Sequence, residues 1–374
     1  MAAVTTRTSD AVAAVASAGL VAPGGPVSPV IVPEASWTRF LMACEEHRVL
    51  GLLPVAERLG LIDFAEYQRS AVELRLRHWL SHDLAVERMA QAVVGALEVA
   101  GIEYRLLKGV VLANSLYPDP SMRVFSDVDV LVRSSEFTRA ANLIAASPEA
   151  GGLGALRALP ELRPGFDDRF GREVLLRSGS IEIDLHRTLV DGPYGLRVNL
   201  QDLFDAPRTV TLGGQEVLTV GRSAQFLHAC FSAVLGEWPP RLMVLRDVVE
   251  LLGSDRHAVD AAEVLQMAGR WRAQPVVALA VNLALDTLRA GPRHDLVGWA
   301  RGFAAGPVER LLLRTYRGRA RGYTSQLASL AAVPGLAQKA SFLHAITRPS
   351  PEYLRARGFR RGERVRRALG LVKP

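Results

Sequence analysis

The sequence predicts an α+β fold in which a small mixed β-sheet is flanked by N-terminal helices and a C-terminal helical domain. Short apolar stretches separated by turn residues cluster in the middle of the chain, in residues 102–221. Amphipathic segments, with apolar residues every three to four positions, occupy the chain before and after that region. With 374 residues and 49% hydrophobic content, the chain is long enough for two domains and a sizeable core.

We expect four segments along the chain. Residues 1–35 are rich in Ala, Val, Pro, Gly and Ser, and they predict a disordered or extended lead. Residues 36–101 predict an N-terminal helical segment that ends in a long amphipathic helix, from about residue 64 to residue 100. A sheet-containing domain over 102–221 and a helical domain with a basic tail over 222–374 complete the chain.

The composition argues against several classes of protein. Cys44 and Cys230 form no CxxC pair, so we expect neither a disulfide framework nor a zinc cluster, and a cytoplasmic location is predicted. No apolar run approaches the roughly 20 residues that a membrane-spanning helix requires. The mildly apolar stretch 11–22 is rich in alanine and follows Asp10, which disfavours a signal peptide.

The most informative stretch is 106–132, LLKGVVLANSLYPDPSMRVFSDVDVLV. A strand ends at Lys108 and Gly109, a short helix and a Tyr-Pro-Asp-Pro turn follow, and Asp127 and Asp129 begin a second apolar strand. Because side chains alternate along a strand, the two aspartates point to the same face. Neighbouring carboxylates repel each other, and Mg²⁺ suits such an all-oxygen pair together with substrate phosphates. The residues therefore predict a magnesium site, with a solvated strand end as the alternative.

Two hairpins are predicted downstream. Segments 173–176 and 181–185 read as strands joined by a turn, and the second of them places Glu182 and Asp184 on one face. Either acid can join the aspartate pair, since a two-residue shift of register exchanges them. Residues 208–220, around Gly213-Gly214, predict a further hairpin.

Three residues are candidates for phosphate binding. Gly109 lets the backbone approach a phosphate closely, and a helix beginning near Val110 offers its N-terminal amides to an anion. Lys108 is a second candidate, for which a surface lysine lying along apolar neighbours is the alternative. Arg123 lies four residues before Asp127 and is a candidate phosphate clamp, with an exposed loop arginine as its alternative.

These motifs resemble the DNA polymerase β superfamily of nucleotidyltransferases and, more narrowly, a family of uncharacterised bacterial nucleotidyltransferases. The motifs of the resemblance are LKG, YPDP, DVDVLV and EIDLH, within roughly residues 37–357. It implies a polymerase β-like core of mixed sheet. It also implies that Asp184 is the third carboxylate and that His186 follows it in the site, while Glu182 stays the alternative in the other register.

The resemblance implies a Mg²⁺-dependent reaction in which one or two ions are held by Asp127, Asp129 and Asp184. An NTP, with ATP favoured by its abundance, donates a nucleoside monophosphate, and pyrophosphate leaves. The acceptor, which is a small molecule, peptide, protein or RNA, is not chosen by the sequence. His228, on the first helix after the sheet, and the pair Arg246-Asp247 match residues that recur in the family, and we favour a packing role for them.

Two other functions stay open. Val110 stands where the superfamily usually has serine or glycine after Gly109, so Lys108 must supply the missing phosphate contact or the protein is a degenerate, nucleotide-binding regulator. The net charge of +7 and the eight basic residues between positions 355 and 373 permit a nucleic-acid-binding protein instead. Few aromatic residues accompany this basic segment, so solvated helix faces are an alternative role for its arginines.

Overall fold

The computed structural model describes residues 8–20, 30–147, 156–157, 160–171, 173–253, 259–317 and 326–358. Its strands are β1 (Tyr104–Leu106), β2 (Asp127–Val132), β3 (Leu156–Arg157), β4 (Glu173–Ser178), β5 (Ile181–His186), β6 (Arg208–Leu212) and β7 (Gln215–Thr219). They form one seven-stranded sheet in the order β3-β4-β5-β2-β1-β7-β6. β2 is antiparallel to β1 but parallel to β5, so the sheet is mixed. The predicted α+β fold class is confirmed.

Helices occupy most of the described chain on either side of the sheet strands. Those before β1 are α1 (Thr8–Ala16), α2 (Glu34–Glu46), α3 (Leu53–Arg58) and α4 (Glu66–Val99). Those between strands are α5 (Lys108–Ser115), α6 (Phe137–Ala146), α7 (Phe166–Phe170) and α8 (Gly192–Gly195). Those after β7 are α9 (Arg222–Leu235), α10 (Leu242–Gly253), α11 (Ala261–Arg270), α12 (Gln274–Leu288), α13 (Asp295–Gly302), α14 (Pro307–Arg314), α15 (Leu336–Thr347) and α16 (Pro351–Ala356).

Both predicted hairpins are present. β4 and β5 pair antiparallel, and so do β6 and β7. β7 also pairs in parallel with β1, which places β6 at one edge of the sheet. The alternation of apolar and polar residues identified these strands because each of them has one face in the core.

The structure corrects the predicted extended lead. Residues 8–16 form α1, in which Val12 and Val15 are buried and pack with α2, α10 and α12. Arg246 of α10 then donates a hydrogen bond of 2.9 Å to the carbonyl oxygen of Ala18. Alanine and valine side chains give α1 only a narrow apolar face, so the sequence shows no clear amphipathic pattern there. The helix is stabilised by packing against the helices that cover this face.

The apolar residues divide between the two faces of the sheet. One cluster contains Val128 and Val130 of β2 with residues of α4 and α6. The other contains Leu131 and joins the N-terminal helices α1 to α3 to the helices after β7, including α9, α10 and α12. The N-terminal and C-terminal helices therefore share one core, and this core covers the sheet face that carries the predicted carboxylates.

A short helical turn, Leu50–Leu52, packs against the turn that precedes β2. Gly51 permits this approach, because a Cβ atom added there would overlap the backbone carbonyl oxygen of Ser121. The chain between α2 and α3 is thereby held close to the segment that leads into the carboxylate strand.

Replacing Gly51 by alanine is expected to lower the free energy of unfolding by about 1–3 kcal/mol, because the added methyl group meets backbone that cannot move alone. Denaturant unfolding measures the change. Gly95→Ala in α4 is the matched control, since nothing lies within 4 Å of the added Cβ atom. This control is expected to gain about 0.5–1 kcal/mol from helix propensity. Equal effects of the two substitutions would contradict the packing argument.

Candidate active site

Three carboxylates line one cleft of about 290 Å³ at the face of β2 and β5. Asp127 and Asp129 point to the same side of β2 because they are two residues apart. The parallel register places Asp184 of β5 directly beside Asp129. Lys108 and Gly109 line the same cleft, and both lie in the first turn of α5, whose N–H groups have no partners inside the helix. α5 starts two residues before the predicted position because Leu107 already provides the extended residue that precedes it.

Asp129 is the most constrained of the three acids. Its side chain is buried, and its Oδ1 atom lies 2.9 Å from the Lys108 ammonium and 2.8 Å from Nε2 of His186. Its Oδ2 atom is buried and has no hydrogen-bond partner among the described residues. One carboxylate oxygen is thus held in place, and the other is left with unused acceptor capacity.

The pKa values of Asp129 and Asp184 are shifted in opposite directions. Burial alone would raise the pKa of the Asp129 carboxyl, but the Lys108 charge and the hydrogen bond with His186 hold it well below its ordinary range. Burial, followed by the neighbouring carboxylates of Glu173 and Asp129, raises the pKa of Asp184 to about 7. Asp129 is therefore held as a carboxylate, whereas burial and acidic neighbours disfavour the charged form of Asp184.

The register separates the two candidates for the third acid. Glu182 lies beside Asp127 in the strand pairing, but its carboxylate accepts hydrogen bonds of 3.0 and 2.6 Å from Arg177. It lines a neighbouring concavity together with His82 and Ser126. The structure thus places Asp184 in the cleft and Glu182 outside it, while the catalytic role of either acid stays a prediction.

His186 contacts Asp129 in the cleft and also lies against strand β4. It is fully buried, and its Nδ1 atom lies 3.4 Å from a carboxylate oxygen of Glu173, its partner residue on β4. The ring centroid of His228 on α9 lies 6.5 Å away. His186 therefore orients Asp129 from behind, whereas His228 packs beside His186 and is not among the residues that line the cleft.

Arg123 is buried in a different set of contacts. Its guanidinium donates to both carboxylate oxygens of Asp247 at 2.9 and 2.8 Å, and its third nitrogen donates to the carbonyl oxygen of Gly109 at 3.0 Å. The hydroxyl of Tyr117 donates to the same carboxylate at 2.8 Å. Arg123 thus ties the start of α5 to α10, and these contacts favour a positioning role over the predicted contact with phosphate. The expected packing role of Asp247 agrees with them.

Two arginines in the cleft were absent from the predicted site. Arg48 follows α2 and lies near Asp127 through its hydrogen bond to Ser126, and Arg241 precedes α10. Both arginines line the cleft. Nothing in the local sequence pattern around Arg48 places this residue near Arg241. Contacts across such a separation leave no periodic signal.

The carboxylates fit a divalent cation. The buried Oδ2 atom of Asp129 has no hydrogen-bond partner among the described residues, and a cation would supply one. A Cβ atom added at Gly109 would lie 3.8 Å from this oxygen, so the glycine leaves space there. Asp129, Asp184 and His186 offer ligand atoms within 4.8 Å of one another. Oxygen ligands suit Mg²⁺, whereas an imidazole nitrogen suits transition metals better. The group can hold a metal ion, and its acids alone favour a hard one.

The sheet, the clustered acids and the basic wall of the cleft agree with one class of enzyme, the nucleotidyltransferases. A family model described as uncharacterised nucleotidyltransferase matches residues 33–289, well over half of the chain. The chain belongs to this family. The resemblance found in the sequence is thereby confirmed, including its assignment to an enzyme class.

Two solved structures show distant similarity. The antibiotic-resistance factor ANT(2'')-Ia matches with 13% identity and a TM-score of 0.35, over 51% of this chain and 94% of that one. An antigenic nucleotidyltransferase-like protein from Paracoccidioides brasiliensis matches with 19% identity and a TM-score of 0.32, over 57% of this chain and 96% of that one. The search of curated proteins gave no match. In the described ranges, the helices lack the combined length and apolar character needed to cross a bilayer.

Proposed function

We propose that this chain is a Mg²⁺-dependent nucleotidyltransferase that moves a nucleoside monophosphate from an NTP to a hydroxyl or phosphate group of an acceptor. ATP is the proposed donor, pyrophosphate is the leaving group, and the cytoplasm is the proposed location. One observation supports this most strongly. A buried carboxylate oxygen of Asp129 has no hydrogen-bond partner in the described chain, and it lies beside Asp184 in a cleft that Arg48 and Arg241 also line.

Asp127, Asp129 and Asp184 are the residues that would hold one or two ions. When bound, such ions neutralise the phosphates and increase the electrophilicity of the α-phosphorus. His186 keeps Asp129 oriented through the 2.8 Å contact with its Oδ1 atom, so that Oδ2 faces the remaining space. Preorganised ligands of this kind avoid reorganisation during the reaction.

Lys108 and Gly109 are the proposed phosphate contacts on the sheet side. The Lys108 side chain is 28% exposed, and its ammonium is paired with Asp129 in this structure, so a phosphate entering the cleft competes with Asp129 for it. The open N–H groups at the start of α5 supply further donors to an anion. Lys108 thus provides the contact that the hydroxyl after the glycine makes in the wider superfamily.

Asp184 is assigned to the acceptor side of the cleft. In the proposed step, the acceptor oxygen bonds to the α-phosphorus, and a hydroxyl acceptor releases its proton to solvent. The bond to the oxygen bridging the α- and β-phosphates breaks, and pyrophosphate departs with the electron pair of that bond. The protein acts mainly by holding these groups in line.

Calorimetric titration of ATP, CTP, GTP and UTP, with and without Mg²⁺, tests the proposal. Metal-dependent binding is expected for wild type, and the double variant Asp127→Ala/Asp129→Ala is expected to lose it. Failure of the folded wild type to bind any of the four nucleotides would exclude the enzyme reading and favour a degenerate regulator. Binding of nucleic acid with steep salt dependence would favour the alternative of a nucleic-acid-binding protein that uses its basic C-terminal segment.

Of this basic segment, residues 359–374 lie outside the described residues.

A further inference from the structure

We infer that Arg48 and Arg241 form a paired phosphate-binding wall that receives the β- and γ-phosphates of the nucleotide. The inference rests on the proposed function and extends it, because it assigns two residues of the cleft to the terminal phosphates. The following contacts support it.

Arg48 is held at the cleft by uncharged groups. Its guanidinium donates a 2.7 Å hydrogen bond to the Ser126 hydroxyl, and it lies 5.2 Å from the ring centroid of Trp79. Within the described ranges it makes no ion pair, although Asp83 and Asp127 are near enough to affect its pKa. A guanidinium positioned by a hydroxyl and an aromatic face keeps its remaining donors for an incoming anion.

The backbone at Arg48 is unusual. Its φ angle is +61°, in the left-handed region that non-glycine residues rarely adopt. This conformation closes the C-terminus of α2, where the amide of Val49 donates a 2.9 Å hydrogen bond to the carbonyl oxygen of Cys44. Hydrogen bonds from the amides of Leu242 and Met243 to the Nδ1 atom and carbonyl oxygen of His47, at 3.4 and 3.2 Å, hold this segment against the start of α10.

The same two hydrogen bonds bring Arg241 next to Arg48. They join His47, which precedes Arg48, to the two residues that follow Arg241. The two side chains are close enough that burial, and then the charge of Arg241, lower the pKa of Arg48. Arg241 is 37% exposed, and its Nε atom lies 3.1 Å from a carboxylate oxygen of Glu237, which is 65% exposed. An anion bound between these two positive charges would offset their mutual repulsion.

The other two cations of the cleft are paired with buried acids. The Lys108 ammonium is paired with Asp129, and the nitrogens of Arg123 donate to Asp247 and Gly109, whereas the partner of Arg241 is the exposed Glu237. Arg48 and Arg241 are therefore the cleft arginines placed to meet the terminal phosphates. Guanidinium groups suit this task because they bind phosphate oxygens in pairs.

The test compares the binding of ATP, AMP and inorganic tripolyphosphate by calorimetry in the presence of Mg²⁺. Arg48→Asn and Arg241→Gln are each expected to weaken ATP and tripolyphosphate binding about tenfold, with the affinity for AMP unchanged. Asparagine is chosen at position 48 because it tolerates a positive φ better than most residues. Glu237→Gln is expected to strengthen ATP binding about twofold or more, since a competing carboxylate is removed.

Arg75→Gln is the matched control, because Arg75 is an exposed arginine on α4 that pairs with Glu45; it is expected to change none of the affinities. Thermal melts accompany each variant. Arg241 and Glu237 are surface residues, so their variants keep the inference testable if Arg48→Asn is unstable.

The outcomes separate this inference from the proposed function. ATP binding by wild type that neither arginine substitution weakens would overturn the inference and leave the nucleotidyltransferase proposal standing. Arginine-dependent binding of tripolyphosphate without binding of any NTP would support the phosphate wall and overturn the proposed reaction. An equal loss of affinity for AMP and for ATP would overturn the inference, because the arginines would then not bind the terminal phosphates specifically.

Discussion

Asp184→Asn is expected to lower the rate of nucleotidyl transfer about 10³-fold, whereas Glu182→Gln is expected to leave the rate within about twofold of wild type. The two acids lie two positions apart on β5, but only Asp184 enters the cleft. The expected loss corresponds to about 4 kcal/mol of transition-state stabilisation from a cation ligand. Glu182→Gln removes an exposed ion pair with Arg177, which contributes about 0–1 kcal/mol to stability.

Pyrophosphate release from the donor NTP measures this difference. Binding of Mn²⁺, followed by electron paramagnetic resonance in the presence of that NTP, provides a second readout that does not require turnover. Asp184→Asn is expected to weaken Mn²⁺ binding by about tenfold or more, and Glu182→Gln is the matched control on the same strand face. The reverse result, with Glu182 essential and Asp184 dispensable, would contradict the register that the structure assigns to β2 and β5.

Arg123→Met is expected to lower the free energy of unfolding by about 3–5 kcal/mol. The substitution leaves the Asp247 carboxylate buried without its bidentate partner, and the Gly109 carbonyl loses a donor as well. Uncompensated buried charges are among the largest single sources of instability. Urea unfolding followed by circular dichroism measures the change.

Arg139→Met is the control for this second prediction. Arg139 is 58% exposed and pairs with Glu136 within one helical turn, so a change of about 0–1 kcal/mol is expected. The double variant Arg123→Met/Asp247→Leu is expected to recover much of the lost stability, because apolar groups replace the buried pair. If Arg123→Met unfolds at the same urea concentration as Arg139→Met, the buried pair does not hold α5 to α10 in solution.

Local patterns predicted a large part of this molecule. The alternation of residues identified β2, β5 and the hairpin of β6 and β7, and the helical period identified α4 and α9 to α12. Residues 8–16 were not predicted to form α1, because their composition gives only a small apolar face. That face is buried against the helices that cover it. The family assignment also followed from motifs in the sequence, and the match over residues 33–289 confirms it.

The two-residue spacing of Asp127 and Asp129 was enough to predict that both side chains lie on one strand face, because side chains alternate along a strand. The tertiary structure decided that Asp184 rather than Glu182 lies beside Asp129, since strand register depends on the pairing of distant segments. It also decided that Arg48 and Arg241 meet, through a hydrogen bond between residues 195 positions apart. Contacts of that separation depend on how helices pack, and helix packing is set by whole apolar surfaces rather than by any local motif.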